Sequence, residues 1–102
     1  METTYNIRYS PVVQFDLEGI VSYVSDTLCA PQAAQKLLRK LRESIETLGE
    51  FPFSGKELKW KSGYRWTRVD NYMIFYTVEQ NDKTVTIMRI LYGASDYLVK
   101  LI

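Results

Sequence analysis

The segment YRWTRVDNYMIFYTVEQNDKTVTIMRILY, residues 64–92, decides the fold because it contains three strand-like runs separated by short polar turns. The runs YRWTRV, YMIFYTV and TVTIMRILY are rich in the β-branched and aromatic residues that favour strands. Asp70-Asn71 separates the first two runs, and residues 80–83 separate the last two. Connections this short join antiparallel neighbours, so the segment predicts a three-strand antiparallel meander.

The second and third runs are apolar on both sides. Ile74 and Tyr76 alternate with Met73 and Phe75, and all four residues are apolar or aromatic. This pattern is typical of central strands that have something packed on each face. We expect helices to cover one face. The other face is either capped by the tail after Gly93 or left as an apolar patch for a partner.

The residues before this segment predict one strand and two helices. TYNIRYS alternates as a half-buried strand, with Tyr5, Ile7 and Tyr9 on one side. Ser10 then serves as an N-cap, and Pro11 occupies the first helical position. The first helix has an apolar stripe of Val13, Leu17, Ile20, Val21, Val24 and Leu28.

A second helix begins near Pro31 and has its own apolar stripe, with Gly49 as the residue that ends it. The stripe consists of Ala34, Leu38, Leu41, Ile45 and Leu48. We expect Phe51 and Phe53, in the loop that follows, to plug the helical hairpin against the sheet. The predicted fold is therefore α+β, in the order β-α-α-β-β-β, as one domain over residues 1–102. An antiparallel sheet is covered on one face by an antiparallel helical hairpin and followed by a short tail.

Composition limits the chemistry that this chain can perform. It has 102 residues, a formal net charge of +1, one cysteine and no histidine. The lack of histidine removes the commonest general base and metal ligand, so we expect no metal site and no cofactor. No signal-peptide pattern and no run of about 18 apolar residues is present, which favours a cytoplasmic protein without membrane contact.

Three arginines, Arg65, Arg68 and Arg89, fall on neighbouring predicted strands, and three lysines precede them at positions 56, 59 and 61. One interpretation is a basic, aromatic-edged surface for a phosphate backbone or an acidic partner. The other is that these charges are solvated and protect an edge strand from aggregation. For Arg89, in the middle of a central strand, the structural alternative is an ion pair with Asp70, Asp96 or Glu79.

The chain resembles the RelE/ParE superfamily, the toxins of bacterial type II toxin–antitoxin systems. The resemblance rests on YNIRYSPVVQFDLEGIVSYV, on FPFSG, and on the 64–92 segment followed by Gly93 and SDY. It implies a toxin held inactive by an antitoxin from an adjacent gene, whose C-terminal segment folds onto the toxin's helices and sheet. The expected antitoxin contacts are Leu38, Leu41, Met73 and Phe75.

The resemblance implies two alternative activities. RelE-like members cut messenger RNA on the ribosome without a metal ion, by attack of the ribose 2′-OH on the adjacent phosphate. Here Arg65, Arg68 and Arg89 would supply the cations, with Tyr92 or Tyr97 as acid or base. In place of expected basic residues, however, Met73 follows Tyr72, and Ala94-Ser95 follow Gly93.

ParE-like members inhibit growth by binding DNA gyrase, and the MRILYG…DY ending is more similar to that branch. The expected target contacts in this case are Arg89, Asp96 and Tyr97. Many ParE-like sequences have Arg-Arg where this chain has Ala94-Ser95. A third interpretation follows from that difference: an attenuated module that has kept only its antitoxin binding.

Overall fold

The computed structural model describes residues 4–93, which form two helices and five strands. In chain order these are β1 (Asn6–Tyr9), α1 (Pro11–Ser22), α2 (Pro31–Glu50), β2 (Lys56–Glu57), β3 (Tyr64–Val69), β4 (Tyr72–Glu79) and β5 (Thr84–Tyr92). A π-helical segment, Tyr23–Thr27, continues α1. The α+β class and the predicted element order are confirmed, and the short strand β2 is an addition to them.

The five strands form one sheet in the order β1-β5-β4-β3-β2. β3, β4 and β5 form the predicted antiparallel meander, but β1 pairs with β5 in parallel, so the sheet is mixed. The turns of the meander fix the direction of its strands. No short turn joins β1 to β5, and the direction of β1 was therefore not encoded locally. A bulge in β5 makes Arg89 pair with Phe75 and Ile87 pair with Tyr76, leaving Met88 as the extra residue.

The start of α1 is fixed by Ser10, as the sequence predicts. Its hydroxyl accepts a hydrogen bond from the Val13 N–H at 3.3 Å and donates one to the Met88 carbonyl at 2.8 Å. The end of the helix departs from the prediction. In a π-helix each turn holds more residues, which shifts the phase of the apolar stripe. Leu28 is consequently 54% exposed instead of buried, and the chain turns at Cys29, which has a φ of 53°.

The core face of α2 is close to the predicted stripe, but it contains Leu37 in place of the half-buried Leu38. The prediction that Gly49 ends this helix is wrong, because α2 continues to Glu50. Gly49 instead allows a close approach of two backbones. A Cβ at this position would lie 3.1 Å from the Tyr5 carbonyl oxygen, and the Tyr5 N–H donates to the Gly49 carbonyl at 2.8 Å.

Apolar side chains are buried on both faces of the sheet. The larger cluster lies between the sheet and the helices and includes Val13, Leu41, Ile74, Tyr76 and Ile87. On the opposite face a smaller cluster contains Leu58, Phe75 and Leu91, with Tyr64, Trp66 and Met73 packed against it. Two-sided burial in β4 and β5 therefore agrees with the sequence pattern.

Candidate functional site

Arg65 holds the loop between α2 and β3 in place. Its Nη1 donates to the carbonyls of Phe53 at 3.4 Å and Gly55 at 2.9 Å, and its Nη2 lies 3.4 Å from the Glu57 carboxylate. The guanidinium also stacks 4.9 Å from the centre of the Phe53 ring. Phe51 and Phe53 are 57% and 45% exposed, so the prediction that they plug the hairpin against the sheet is wrong. In the folded chain Arg65 has a structural role.

Arg89 forms a two-pronged ion pair with Asp16 of α1. Its Nε donates to Oδ2 and its Nη2 donates to Oδ1, each at 2.8 Å. The same carboxylate accepts the Ile90 N–H at 3.1 Å. The hydrogen bond to Asp16 raises the pKa of Arg89 above its ordinary value, which outweighs the opposing effect of burial. The side chains are 22% and 10% exposed, so this charge pair is largely removed from solvent.

Among the described residues Arg89 pairs with Asp16, which the sequence did not suggest, and not with Asp70 or Glu79. Asp70 binds Lys40 at 3.4 Å, and Glu79 accepts the N–H of Asn81. Asp96 lies outside the described residues, as does Tyr97. Asp16 was missed because it lies 73 residues earlier in the chain and only the fold brings it next to β5. Asp16 also accepts the Ile90 N–H, which occupies a backbone donor of β5 beyond the last residue that pairs with β1.

Arg68 lies on the opposite face of the sheet from Arg65, because three positions separate them along one strand. On this face Lys56, Trp66 and Arg68 form a surface that we call the basic strip. The Lys56 ammonium lies 5.5 Å from the centre of the Trp66 ring, and Arg68 is exposed with its Nε donating to the Asp70 carbonyl. The structure therefore does not bring the three arginines together on one face.

Two of the expected catalytic residues lie close together, because Arg68 belongs to the basic strip and Tyr92, the candidate acid or base, lies beside it. A cavity of about 330 Å³ is lined by Trp66, Arg68, Asn71, Met73, Tyr92 and Gly93. Tyr92 is 48% exposed, and its ring packs edge-on against Tyr72, with centroids 5.6 Å apart. This cavity combines a cation, an aromatic ring and a hydroxyl in the described part of the chain.

The four residues expected to contact an antitoxin have different environments. Leu41 and Phe75 are 1% and 0% exposed, so neither offers surface to a partner in this conformation. Both complete apolar clusters, which an amphipathic pattern alone cannot distinguish from a binding surface. Leu38 and Met73 are half-buried. Leu38 lines a small groove of about 130 Å³ beside Tyr9, and Met73 lines the cavity next to the basic strip.

An exposed apolar surface beside α1 was missed from the sequence. An open groove of about 670 Å³, which we call the α1 groove, separates α1 from the ends of β4 and β5. Its helical wall contains Phe15, Gly19, Ile20, Tyr23 and Leu28, and its sheet wall contains Tyr72, Ile90, Leu91 and Tyr92. Burial raises the pKa of Tyr72, as do the neighbouring Tyr92 and Tyr23. Phe15 was the available signal, since this large aromatic residue lies off the core stripe of α1 and is 72% exposed.

Nearly the whole of this chain matches a known toxin family. The family model for the ParE toxin of the type II toxin–antitoxin system, parDE, matches residues 7–97. The chain belongs to this family. It is therefore a toxin of the type II toxin–antitoxin class, and the resemblance to the RelE/ParE superfamily with closeness to ParE is confirmed. No curated protein sequence matches the chain.

Solved structures of toxins share the fold of this ParE-family chain. A chromosomal ParDE system from P. aeruginosa has a TM-score of 0.76 at 18% identity, covering 89% of this chain and 98% of that one. A RelBE toxin–antitoxin complex from Mycobacterium tuberculosis has a TM-score of 0.65 at 19% identity, with coverages of 93% and 98%. A mutant of the E. coli toxin RelE in the free state has a TM-score of 0.69 at 10% identity, covering 95% of this chain and 92% of that one. At these identities the likeness establishes the fold alone.

Two further properties of the ParE-family chain concern residues 4–93. Within that range, no three side chains of His, Cys, Asp or Glu lie close enough together to hold a metal ion. None of the helices in the same range has both the length and the apolar character needed to cross a membrane.

Proposed function

We propose that this ParE-family toxin inhibits growth in the cytoplasm by binding an essential target, with DNA gyrase favoured, and that an antitoxin from an adjacent gene neutralises it. The observation that carries this proposal is the engagement of Arg65 and Arg89 in internal bonds. Arg89 is neutralised by Asp16, and Arg65 donates to two carbonyls and lies against Glu57. Both cations are thus committed to holding the fold.

Cleavage of RNA by its own 2′-OH requires cations that are aimed in advance at one phosphate. Arg65 and Arg68 point to opposite faces of the sheet, and the Arg89 charge is compensated by a carboxylate at 2.8 Å. Moving any of them to a shared phosphate would break the bonds described above. This arrangement favours binding over catalysis. Arg89, Asp96 and Tyr97 remain our predicted target contacts, and Arg89 would make its contact through its exposed part while it stays paired with Asp16.

The antitoxin part of the proposal is supported by several solved structures that share this fold. The structures from P. aeruginosa and Mycobacterium tuberculosis are described as a ParDE system and as a toxin–antitoxin complex. Similar RelB–RelE complexes come from Pyrococcus horikoshii and Methanococcus jannaschii. For this chain we propose an antitoxin that covers the accessible members of the predicted set, which are Leu38 on α2 and Met73 on the sheet face opposite the helices.

One observation favours the alternative of a ribosome-dependent messenger RNA endonuclease. The basic strip places Lys56, Trp66 and Arg68 on one face, with Tyr92 in the adjoining cavity. Aromatic rings that stack on bases, next to cations that contact phosphate, are the usual elements of single-strand RNA recognition. On this alternative Arg68 supplies the main cation and Tyr92 the acid or base.

The deciding experiment measures incorporation of a labelled amino acid in the minutes after the chain alone is induced in bacteria. We expect protein synthesis to continue while cells later form filaments and lose viability. In a separate assay, the purified chain should inhibit DNA supercoiling by purified gyrase. An Arg68→Ala variant should be as toxic as the wild type, and Arg39→Ala, at an exposed position of α2, is its matched control.

The opposite result is an immediate collapse of amino-acid incorporation, lost in the Arg68→Ala variant and kept in Arg39→Ala. It would refute the binding mechanism and assign messenger RNA cleavage. Unchanged synthesis and unchanged growth would leave the third interpretation, an attenuated module that only binds its antitoxin.

A further inference from the structure

The charges of α2 follow an order that does not stabilise the helix itself. Its four cations all precede its three acids, in the sequence Lys36, Arg39, Lys40, Arg42, Glu43, Glu46 and Glu50. The first turn contains no acid and the last turn contains no basic residue. A helix dipole favours the reverse arrangement, with acids near the N-terminus and cations near the C-terminus. The charge order therefore needs another explanation.

Ion pairs within the helix do not explain this order. Arg39 and Glu43 are four residues apart, as are Arg42 and Glu46, but neither pair forms an ion pair in the structure of residues 4–93. With the cation before the acid, this spacing also gives the weaker of the two orientations for such a pair. Within the same residues Lys40 is the one charged side chain of α2 with an ion pair, and its partner is Asp70. The remaining charges of α2 are exposed to solvent.

Most of these charges lie in one line along the exposed side of α2. Six exposed polar residues alternate at spacings of four and three positions and form what we call the outer stripe, which consists of Gln32, Lys36, Arg39, Glu43, Glu46 and Glu50. This alternation keeps side chains on one side of a helix, and it is the spacing along which two helices pack side by side. The buried residues Leu37, Leu41 and Ile45 lie on the opposite side of α2. The outer stripe is therefore open to a partner along its length.

The outer stripe is complementary to itself when a second copy lies antiparallel to it. A two-fold axis through the middle of the stripe places Arg39 of one copy opposite Glu43 of the other. The same axis places Lys36 opposite Glu46. In such a symmetric contact each pairing is made twice, so no like charges of the outer stripe face each other. A parallel arrangement would instead bring cation against cation and acid against acid.

We propose that two copies of this chain associate through antiparallel contact of their α2 helices along the outer stripe. A second copy is the occupant because the charge order of the outer stripe is its own complement in that orientation. A contact of one helix per copy is small and, along this stripe, polar, so the dimer is a transient one that exchanges rapidly and weakens with salt. The inference is separate from the proposed function, because neither Arg89 nor the basic strip belongs to α2.

The first test is sedimentation velocity of the purified full chain, from low micromolar to near-millimolar concentration. A reducing agent is present because Cys29 is exposed and could otherwise cross-link two copies. We expect dimers to increase with concentration at about 0.1 M salt, where the Debye length is about 10 Å. The association constant should fall at least about tenfold at about 1 M salt, where that length is about 3 Å. A chain that stays monomeric throughout, or association that salt does not weaken, would overturn the proposal.

The second test reverses one charge at a time at the centre of the outer stripe. Arg39→Glu makes both central positions acidic and Glu43→Arg makes both basic, so each variant alone should self-associate at least about tenfold more weakly than the wild type. An equimolar mixture of the two variants should restore dimers, because every central cation then faces an acid of the other copy. Energy transfer between differently labelled variants measures this mixed dimer. An ion pair within one helix cannot produce that result.

Two control variants change the net charge equally at exposed positions outside α2. Lys59→Glu matches Arg39→Glu, and Glu18→Arg matches Glu43→Arg. Both controls should self-associate as the wild type does, and circular dichroism checks that every variant folds. Dimers that survive Arg39→Glu would overturn the location, and a mixture of the two charge-reversed variants that stays monomeric would overturn the antiparallel pairing. Equal weakening by Lys59→Glu would show that net charge alone governs association, which would also refute the proposal.

Discussion

The ion pair between Asp16 and Arg89 gives the sharpest test of the fold, because one carboxylate serves three donors. Asp16→Ala removes two bonds to the guanidinium at 2.8 Å and one to the Ile90 N–H at 3.1 Å. Breaking a buried pair costs about 3–5 kcal/mol, and hydrogen bonds to charged groups contribute roughly 1.5–3 kcal/mol each without adding fully. Arg89 keeps 22% of its side-chain exposure, so we expect the lower end, about 3 kcal/mol.

Urea denaturation followed by circular dichroism measures this loss, and a thermal scan should show Tm falling by roughly 12 °C or more for a domain of this size. Asp16→Asn keeps an acceptor for the Ile90 N–H and should lower the free energy of unfolding by about half as much as Asp16→Ala. Glu18→Ala, at an exposed position of the same helix, is the control and should change stability by less than about 0.5 kcal/mol. A loss below about 1 kcal/mol for Asp16→Ala, or a coupling energy to Arg89→Met below about 0.5 kcal/mol, would refute the reasoning.

Three further predictions concern Gly55 in the loop before β2, the stability of the fold at alkaline pH, and an exposed ion pair. Gly55→Ala should destabilise the fold by about 2–3 kcal/mol in urea, because the added Cβ would overlap the Tyr76 hydroxyl and lie 2.7 Å from the Trp66 carbonyl; an unchanged midpoint would contradict this. Burial raises the pKa of Tyr76 above its ordinary value of 10.0, so the folded state holds this proton more tightly than the unfolded state. Stability should be fully present below pH 10 and fall above it, and Tyr76→Phe should reduce that fall; identical alkaline profiles would oppose the assignment. Lys40→Ala should lower the free energy of unfolding by less than about 0.5 kcal/mol, because Lys40 and Asp70 are 3.4 Å apart and both side chains are exposed. A loss of stability above about 1 kcal/mol would contradict this.

Local patterns predicted the elements of this fold well, since each strand of the meander and the Ser10 cap depends on residues close in sequence. Two features depended instead on contacts between distant residues. The direction of β1 is set by its pairing with β5. The phase of the apolar stripe after α1 is set by a π-helical segment that the sequence pattern did not predict. Leu28 was therefore expected in the core and lies on the surface.

The candidate site was less predictable than the fold, because chemistry depends on which face each side chain occupies. Arg65 and Arg68 look alike in sequence, but one secures a loop while the other lies on an open surface. The partner of Arg89 lies 73 residues away, and Phe15 shows its significance only when the sheet lies beside it.

The pairing of β1 with β5 has a consequence for synthesis of the toxin. Ser10 and Met88, which are hydrogen-bonded, are 78 positions apart, and β5 lies between β1 and β4 in the sheet. A nascent chain cannot complete its main core until β5 has been translated, because β5, which follows the other described strands in the chain, joins β1 to the rest of the sheet. A product of interrupted translation that ends before Thr84 lacks the strand on which the whole sheet depends. The cell thus obtains a folded toxin only from messages that are translated at least through the codons for β5.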